Sequence, residues 1–486
     1  MRFKPVHWLA GWILHRQFGL NPVAWHGFNL LLHVGVAVGF FLPLRQILAR
    51  WSGEAATESM IESAAWLAAA AWALHPLRVK SVAWVTASTY PMATGWLLMS
   101  FALYLRAHPP GANGFGMKWL LGSWIAAVFA YGTYPHTVSY GLFLIVVDWG
   151  YLKCVPSWRS PELWRWLGKM VAFFIPAVAA LSATLWVRFF DIGIFSDASD
   201  LGSIGLSERA ITALAIVGAL LSRLVWFYDL TPNLPHIDLS FGNVVIVVSV
   251  STAVAIVSVV IWIRRRRLPM TAVVWFGFLA ISLPCLGFTE KLTWPPDRYS
   301  YLSHLVVVAG LAGGGIQICR RTHAPRVMAG LGCLLVLGLL IGSLFQLPMW
   351  TNSPTFFGKL VEHPSFDRNP RQPGHVLLMW SQYESQSGDL EQLNKLREYA
   401  FKTYLSGIKS ALNPGDVKQA LMLMSHMEHH FGLSAEVHRE QAAWLLKVHR
   451  IQKVENKLLV CLQMMPDDER ALELWSKIQT IRSDTP

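Results

Sequence analysis

His75-Pro-Leu-Arg-Val-Lys-Ser-Val-Ala-Trp-Val85 is a short charged segment caught between two hydrophobic stretches, Ile61 to Leu74 and Pro91 to Leu105. A guanidinium or ammonium group is costly to bury in hydrocarbon. Arg78 and Lys80 therefore place this segment at a membrane face or along a wet, protein-walled cavity. A cationic pocket at the edge of a bilayer suits an anionic ligand carried by a lipid.

The rest of the chain agrees with a membrane setting. Of its 486 residues, 53% are hydrophobic and only 14% charged, the balance of a polytopic membrane protein. The excess of positive charge is uneven: 25 Lys and Arg against 13 Asp and Glu precede Trp350, with 16 of each from there on. A bias confined to the apolar part points to cytoplasmic loops that obey the positive-inside rule, and no nucleic-acid partner is expected. The five cysteines, Cys154, Cys285, Cys319, Cys333 and Cys461, have no paired spacing, so neither a disulfide framework nor a zinc site is expected. The first nineteen residues carry Lys4, His7, His15 and Arg16 among apolar neighbours, which predicts an amphipathic helix lying on the membrane instead of a cleavable signal.

Apolar stretches able to cross, or nearly cross, about 30 Å of hydrocarbon occur at 22–44, 61–75, 90–105, 117–133, 136–149, 169–189, 210–228, 242–263, 270–287, 301–319 and 327–347. That predicts ten or eleven spans. Basic clusters at Arg45 and Arg50, Arg106 and Lys118, Lys153 to Arg165, Arg264 to Arg267, and Arg320 to Arg326 mark the cytoplasmic loops. The segment 75–90, an acidic loop with Asp191, Asp197, Asp200 and Glu208, and the loop 288–300 then fall on the opposite face. Parity fails at 210–228. Arg223 within that stretch favours a re-entrant or surface-lying helix there, the alternative being that 117–149 crosses only once.

After Trp350 the composition becomes that of a soluble protein, and helical periodicity is broken by prolines and glycines. The expected fold class is all-α: a transmembrane bundle over 1–349 followed by an exported domain over 350–486. Helices in the second part pair across short breaks, Gly374 to Ser387 with Asp389 to Lys409 and Gly415 to Phe431 with Ser434 to His449. Trp380, Tyr383 and Gly388 resemble a degenerate tetratricopeptide repeat.

Several stretches, taken in order, resemble one family. They are Phe18-Gly-Leu-Asn-Pro-Val-Ala-Trp-His26 with Asn29 and His33, the segment from His75 to Trp84, Thr133-Tyr-Pro135 running on to Asp148, Leu283-Pro-Cys-Leu-Gly287, Asp297-Arg-Tyr-Ser-Tyr301, and Gln346 to Trp350. Together they are similar to bacterial relatives of the transmembrane and tetratricopeptide repeat proteins, glycosyltransferases of the GT-C class related to protein O-mannosyltransferases. The resemblance implies transfer of a sugar from a polyprenyl-phosphate carrier to a protein or glycan acceptor on the non-cytoplasmic face of the plasma membrane, with the acceptor engaged by exported repeats. No cofactor is expected, and a divalent metal stays open.

Such chemistry needs cations on the departing phosphate and a carboxylate acting on the acceptor. Arg298, Arg78 and Lys80 are the expected phosphate ligands, Arg298 first because a guanidinium grips phosphate oxygens as a fork. His75, Tyr90, His136, Asp297 and Tyr299 are candidates for lining the site. The catalytic carboxylate stays unassigned, since the resemblance places the first helix and the acidic loop ahead of the segment matching Phe3-Lys-Pro. Departures from the family pattern fall at Lys80, where Glu is common, at Ser88-Thr-Tyr90, which replaces a charged sequence, and at Tyr134, where lysine is frequent.

Plainer roles compete for several of these residues. His75-Pro76 is also an ordinary helix stop at an interface, and Asp297 with Arg298 can form a simple salt bridge. His26, Asn29 and His33 share one helix stripe and suit hydrogen bonding between helices better than metal. His426, Glu428, His429 and His430 suit a solvated surface better than a metal site. The tryptophans suit interfacial anchors, with Trp84, Trp294 and Trp350 also placed to stack on sugar.

Overall fold

A computed structural model describes residues 3–53, 56–109, 115–190, 205–227, 230, 241–287, 297–361, 377, 379–381, 390–412, 423, 427, 435–447 and 451–483. Among the described residues the chain is helical, with no strand. It divides into two units, Met1–Trp350 and Thr351–Pro486.

The first unit contains α1 (Pro5–Phe18), α2 (Pro22–Ser52), α3 (Glu58–Ala73), α4 (Val79–Ala83), α5 (Thr89–Ala107), α6 (Met117–Thr133), α7 (Tyr140–Val147), α8 (Glu162–Phe190), α9 (Leu206–Val225), α10 (Phe241–Arg264), α11 (Pro269–Ser282), α12 (Ser300–Thr322) and α13 (Pro325–Gln346). Local sequence sets several boundaries. Pro22 opens α2 behind Asn21, whose side-chain oxygen accepts the Val23 N–H at 3.0 Å, and Gly53 closes it at a φ of 59°. Thr57 caps α3 through the Met60 N–H at 3.3 Å.

Five helices, α2, α8, α10, α12 and α13, are long and apolar enough to cross a membrane, and the stretch Pro269–Cys285 is a shorter apolar helix. This accords with a multi-pass protein. The other expected spans are shorter, less apolar or carry more charge. The expected span at 136–149 is corrected: Pro135 starts a 3₁₀ turn, α7 has only eight residues, and a π turn follows at Asp148–Leu152. Together the last two run from Tyr140 to Leu152 and rise about 20 Å, short of a bilayer. The stretch at 210–228 lies mostly in one unbroken helix, α9, whose buried face (Ala213, Ile216, Val217, Leu220) packs with Val247, Val254 and Phe278.

Around the core, α10 and α13 turn Val245, Ile256, Val259, Leu331, Leu334 and Leu344 outward, more than two-fifths exposed. Large aliphatic side chains presented in this way on apolar helices suit a hydrocarbon solvent. Inside, Leu44, Leu48, Trp72 and Tyr301 join α2, α3 and α12 in one cluster, and Tyr104, Tyr131, Tyr140 and Phe173 join α5 to α8 in another. Gly313 is required here: a Cβ at that position would overlap the Trp51 ring.

The second unit contains α14 (Ser353–Val361), α15 (Leu390–Leu412), α16 (Ala435–Lys447), α17 (Ile451–Met464) and α18 (Glu469–Ser483). Its core holds Leu396, Tyr404, Leu445, Val454, Leu458 and Ile478. Among the described residues α16 packs along α17, and α17 along α18. Most of the expected partner helices at 374–387 and 415–431 lie outside the described residues, as do Tyr383, Gly388 and the histidine-rich tract.

Candidate functional site

The 75–88 segment folds as a 3₁₀ turn (Pro76–Arg78), α4 and a second 3₁₀ turn (Val85–Ser88), so it forms no regular span. It packs against the 3₁₀ turn Asp297–Tyr299 that leads into α12. Short turns leave backbone carbonyls without helical partners, and α2 supplies a donor for them. Asn29 Nδ2 lies 3.1 Å from the Val82 and Trp84 oxygens and 3.3 Å from that of Val85. Four residues on, His33 donates from Nε2 to the Ala73 carbonyl at 3.0 Å and accepts from the Tyr301 hydroxyl at 2.7 Å. The stripe thus carries hydrogen bonds between helices, while His26 is exposed.

Both nitrogens of His75 are taken by backbone: Nδ1 accepts the Leu77 N–H at 3.2 Å, and Nε2 donates to the Leu224 carbonyl at 3.0 Å. His75 therefore caps the turn and ties it to the end of α9. Arg78 is 2% exposed. Its Nη2 donates to Ser300 Oγ at 2.9 Å and to His304 Nδ1 at 3.1 Å, and its guanidinium lies over the Trp72 and Tyr301 rings. His304 Nε2 donates to the Leu220 carbonyl at 2.8 Å, which leaves Nδ1 as the acceptor that Arg78 needs. Arg78 Nε and Nη1 are buried with no hydrogen-bond partner among the described residues.

Asp297 is the electrostatic centre of this region. The partner of its carboxylate is Arg223 of α9, not the neighbouring Arg298. The expected Asp297–Arg298 salt bridge is thereby replaced, and Arg223 gains a role. Asp297 also acts on Arg78 and Lys80 through space, both of which it favours in the charged form. Lys80 is 4% exposed and sits between the spans. Burial pushes its ammonium down to about 7; Asp297 opposes the shift, while Arg298 and Arg223 add to it.

Arg298 faces a second, aromatic compartment. Its Nε donates to the Tyr90 hydroxyl at 3.1 Å, and its guanidinium lies over the Trp84 and Tyr299 rings at 5.0 and 5.8 Å. Tyr90 and Tyr134 share a hydrogen bond of 2.7 Å, and the Tyr134 ring lies tilted against His136 at 4.3 Å, whose ring meets Tyr299 edge-on at 4.6 Å. His136 Nδ1 lies 3.3 Å from Cys285 Sγ. Just ahead of α1, Lys4 Nζ reaches over the Tyr134 ring at 4.8 Å, and within it His7 Nε2 meets Ser88 Oγ at 2.8 Å. Trp84 borders Trp350 at 6.3 Å, and Trp294 lies outside the described residues.

The cavity between Tyr90, Tyr134, His136, Cys285 and Tyr299 measures about 20 Å³, room for one water. Ile281 and Leu302 wall it and also wall a wholly apolar cavity of about 100 Å³ among α2, α5, α7, α11 and α12. The arrangement therefore offers concentrated positive charge, stacking surfaces and a dry compartment beneath them.

Of the expected site residues, Tyr90, His136, Arg298 and Tyr299 share the aromatic compartment, and Lys80 and Asp297 lie beside it. Arg78 points instead into the bundle toward α12, and His75 is occupied. Sequence reasoning read Lys4 only as part of a helix lying on the membrane, missed His304 altogether and took Arg223 as a sign of an unusual helix. A basic residue within an apolar stretch was the available signal for Arg223. No family model, curated protein or solved structure matches this sequence.

Proposed function

We propose that this chain is a membrane glycosyltransferase homologue of the GT-C class that recognises a polyprenyl-phosphate-linked sugar at the end of its bundle opposite the basic loops. In this reading the C-terminal helical repeats engage a protein or glycan acceptor on the non-cytoplasmic face. One observation carries it: Asp297 pairs with Arg223 and acts on Arg78 and Lys80 through space, with Arg298 and Lys4 in the adjoining aromatic compartment, so five cations share this region with one buried carboxylate among the described residues. Such an imbalance next to apolar helices calls for an anion, and a phosphate diester or monoester supplies the matching charge. The apolar cavity behind Ile281 and Leu302 supports a ligand with a hydrocarbon part, and the Trp84 and Tyr299 faces suit a sugar.

A labelled polyprenyl-phosphate sugar, given to membranes containing the full chain, tests the reading. Wild-type protein is expected to transfer or retain the label, with Arg298→Ala and Lys80→Ala reducing both. Equal transfer and retention in all three would remove the phosphate site.

A second reading is a non-catalytic membrane scaffold that presents its repeats to partners. It is favoured by the ion pair that occupies Asp297 and by a cavity too small, as it stands, for a sugar. It predicts that partners co-purify with the full chain and that Arg298→Ala and Lys80→Ala leave them unchanged.

A further inference from the structure

We propose that His108, Asp148 and Cys154 form a binding site for a divalent transition metal of the zinc type at the basic end of the bundle, with the Lys169 ammonium as its built-in competitor. The ligand atoms of these three residues lie within 4.8 Å of one another, although they are scattered in sequence. Imidazole nitrogen, carboxylate oxygen and thiolate sulfur form a donor set that suits zinc, with a fourth position left for water.

The surroundings orient each donor. His108 donates from Nδ1 to the Tyr104 carbonyl at 2.8 Å, so the Nε2 lone pair faces the cluster. A ring nitrogen fixed in this way on a carbonyl is the usual support of a metal-bound histidine. The Tyr104 hydroxyl donates to Asp148 Oδ1 and Trp166 Nε1 to Oδ2, each at 2.7 Å. The π turn Asp148–Leu152 ends at Lys153, whose left-handed φ of 52° folds the chain back. That bend lets the Cys154 N–H reach the Asp148 carbonyl at 3.0 Å and brings the thiol onto the same carboxylate.

The centre of this cluster already holds a positive charge. Lys169 Nζ lies 2.7 Å from Asp148 Oδ2 and 3.1 Å from His108 Nε2, over the Tyr104 and Phe115 rings. The other cation that faces the cluster is Arg50, whose Nη2 donates to the His108 carbonyl at 3.4 Å. Carboxylate, imidazole and aromatic faces thus make a cation-holding pocket, and the metal enters as Lys169 gives up its two contacts. On binding, the sulfur–hydrogen bond of Cys154 breaks, a sulfur–metal bond forms, and the proton passes to water; no oxidant or reductant is needed.

Cobalt(II) titration of the purified full chain in detergent is the test, since a cobalt–thiolate bond gives a charge-transfer absorption band. Lys169→Met removes the competitor and is expected to tighten binding roughly tenfold or more, whereas His108→Gln and Cys154→Ser each abolish the band in the Lys169→Met background. Zinc should bleach it. No band in either wild type or Lys169→Met, or a band that survives Cys154→Ser, would overturn the proposal. Circular dichroism and size exclusion on each variant separate loss of the site from loss of the fold. If Lys169→Met does not fold, Lys169→Gln, which keeps a hydrogen-bonding group but no charge, replaces it with the same expected order.

Discussion

Among the described residues of the apolar unit two carboxylates are buried, and their company is opposite. Asp148 meets one ammonium, with a phenol, an indole, an imidazole and a thiol completing its surroundings. Asp297 meets an arginine directly and two further cations through space, with a fourth and a fifth in the adjoining aromatic compartment. In the readings proposed above, one end of the bundle holds a cation and the other an anion. Burial of a charge alone does not separate the two cases; the sign of what surrounds it does.

The largest effect is expected at the closed pair. Asp148→Leu leaves Lys169 buried without its counter-charge and should cost about 3–5 kcal/mol, read as loss of thermal stability in detergent. Asp297→Asn should cost less, because its arginine partner keeps 19% of its side-chain exposure. An equal loss at both positions would erase the contrast.

The anion end is sharpened next by phosphate. Arg298→Ala should lower retention of a polyprenyl phosphate by about tenfold, the scale of one charge-assisted contact of roughly 1.5 kcal/mol. Arg78→Met should act mainly on stability, since its guanidinium bonds within the bundle. Lipid extraction with mass spectrometry and a thermal melt on the same samples distinguish these outcomes.

Lys80 gives a smaller signal with two signs. Its pKa is lowered, so between about 7 and the ordinary lysine value the unfolded chain binds more protons than the folded one. The penalty of burying the charged group is full below that window and is relieved as pH rises through it, so stability should increase. Phosphate retention, which needs the charged form, should fall over the same range. Lys80→Met should flatten both trends, and parallel trends in wild type would contradict the assignment.

The smallest change tests a region outside the contrast. Asp468 opens α18, where Oδ1 accepts the Ala471 N–H at 3.0 Å and Oδ2 pairs with Arg439 at 2.8 Å. Asp468→Ala should cost about 1 kcal/mol, seen in a thermal melt of the full chain. Burial alone would raise this carboxyl, but the Ala471 N–H and Arg439 hold it below its ordinary value. Its contribution is therefore present at neutral pH and lost as acid protonates it.

Much of the helical plan was legible, because apolar length and the change of composition at Trp350 are properties of local sequence. The cationic segment at 75–85 and the Asp297-Arg298-Tyr299 turn could be picked out for the same reason. The pairing of Asp297 could not, since adjacency favours Arg298 while the packing of α9 delivers Arg223. His304 was hidden because a histidine on an apolar helix shows nothing of the arginine it will meet. The apolar run at 136–149 misled because hydropathy does not register the interruption at Pro135 or the π turn after α7. The grouping of His108, Asp148 and Cys154 has no sequence signature, as a loop, a turn and helix packing together create it.

The amide of Asn29, within reach of three carbonyls at once, has a kinetic consequence. Sliding the strap that bears Lys80 would strand those oxygens in surroundings with little water to replace the donor. The strap is therefore pinned from the α2 side, and Asn29→Leu should loosen it before any other part of the bundle yields.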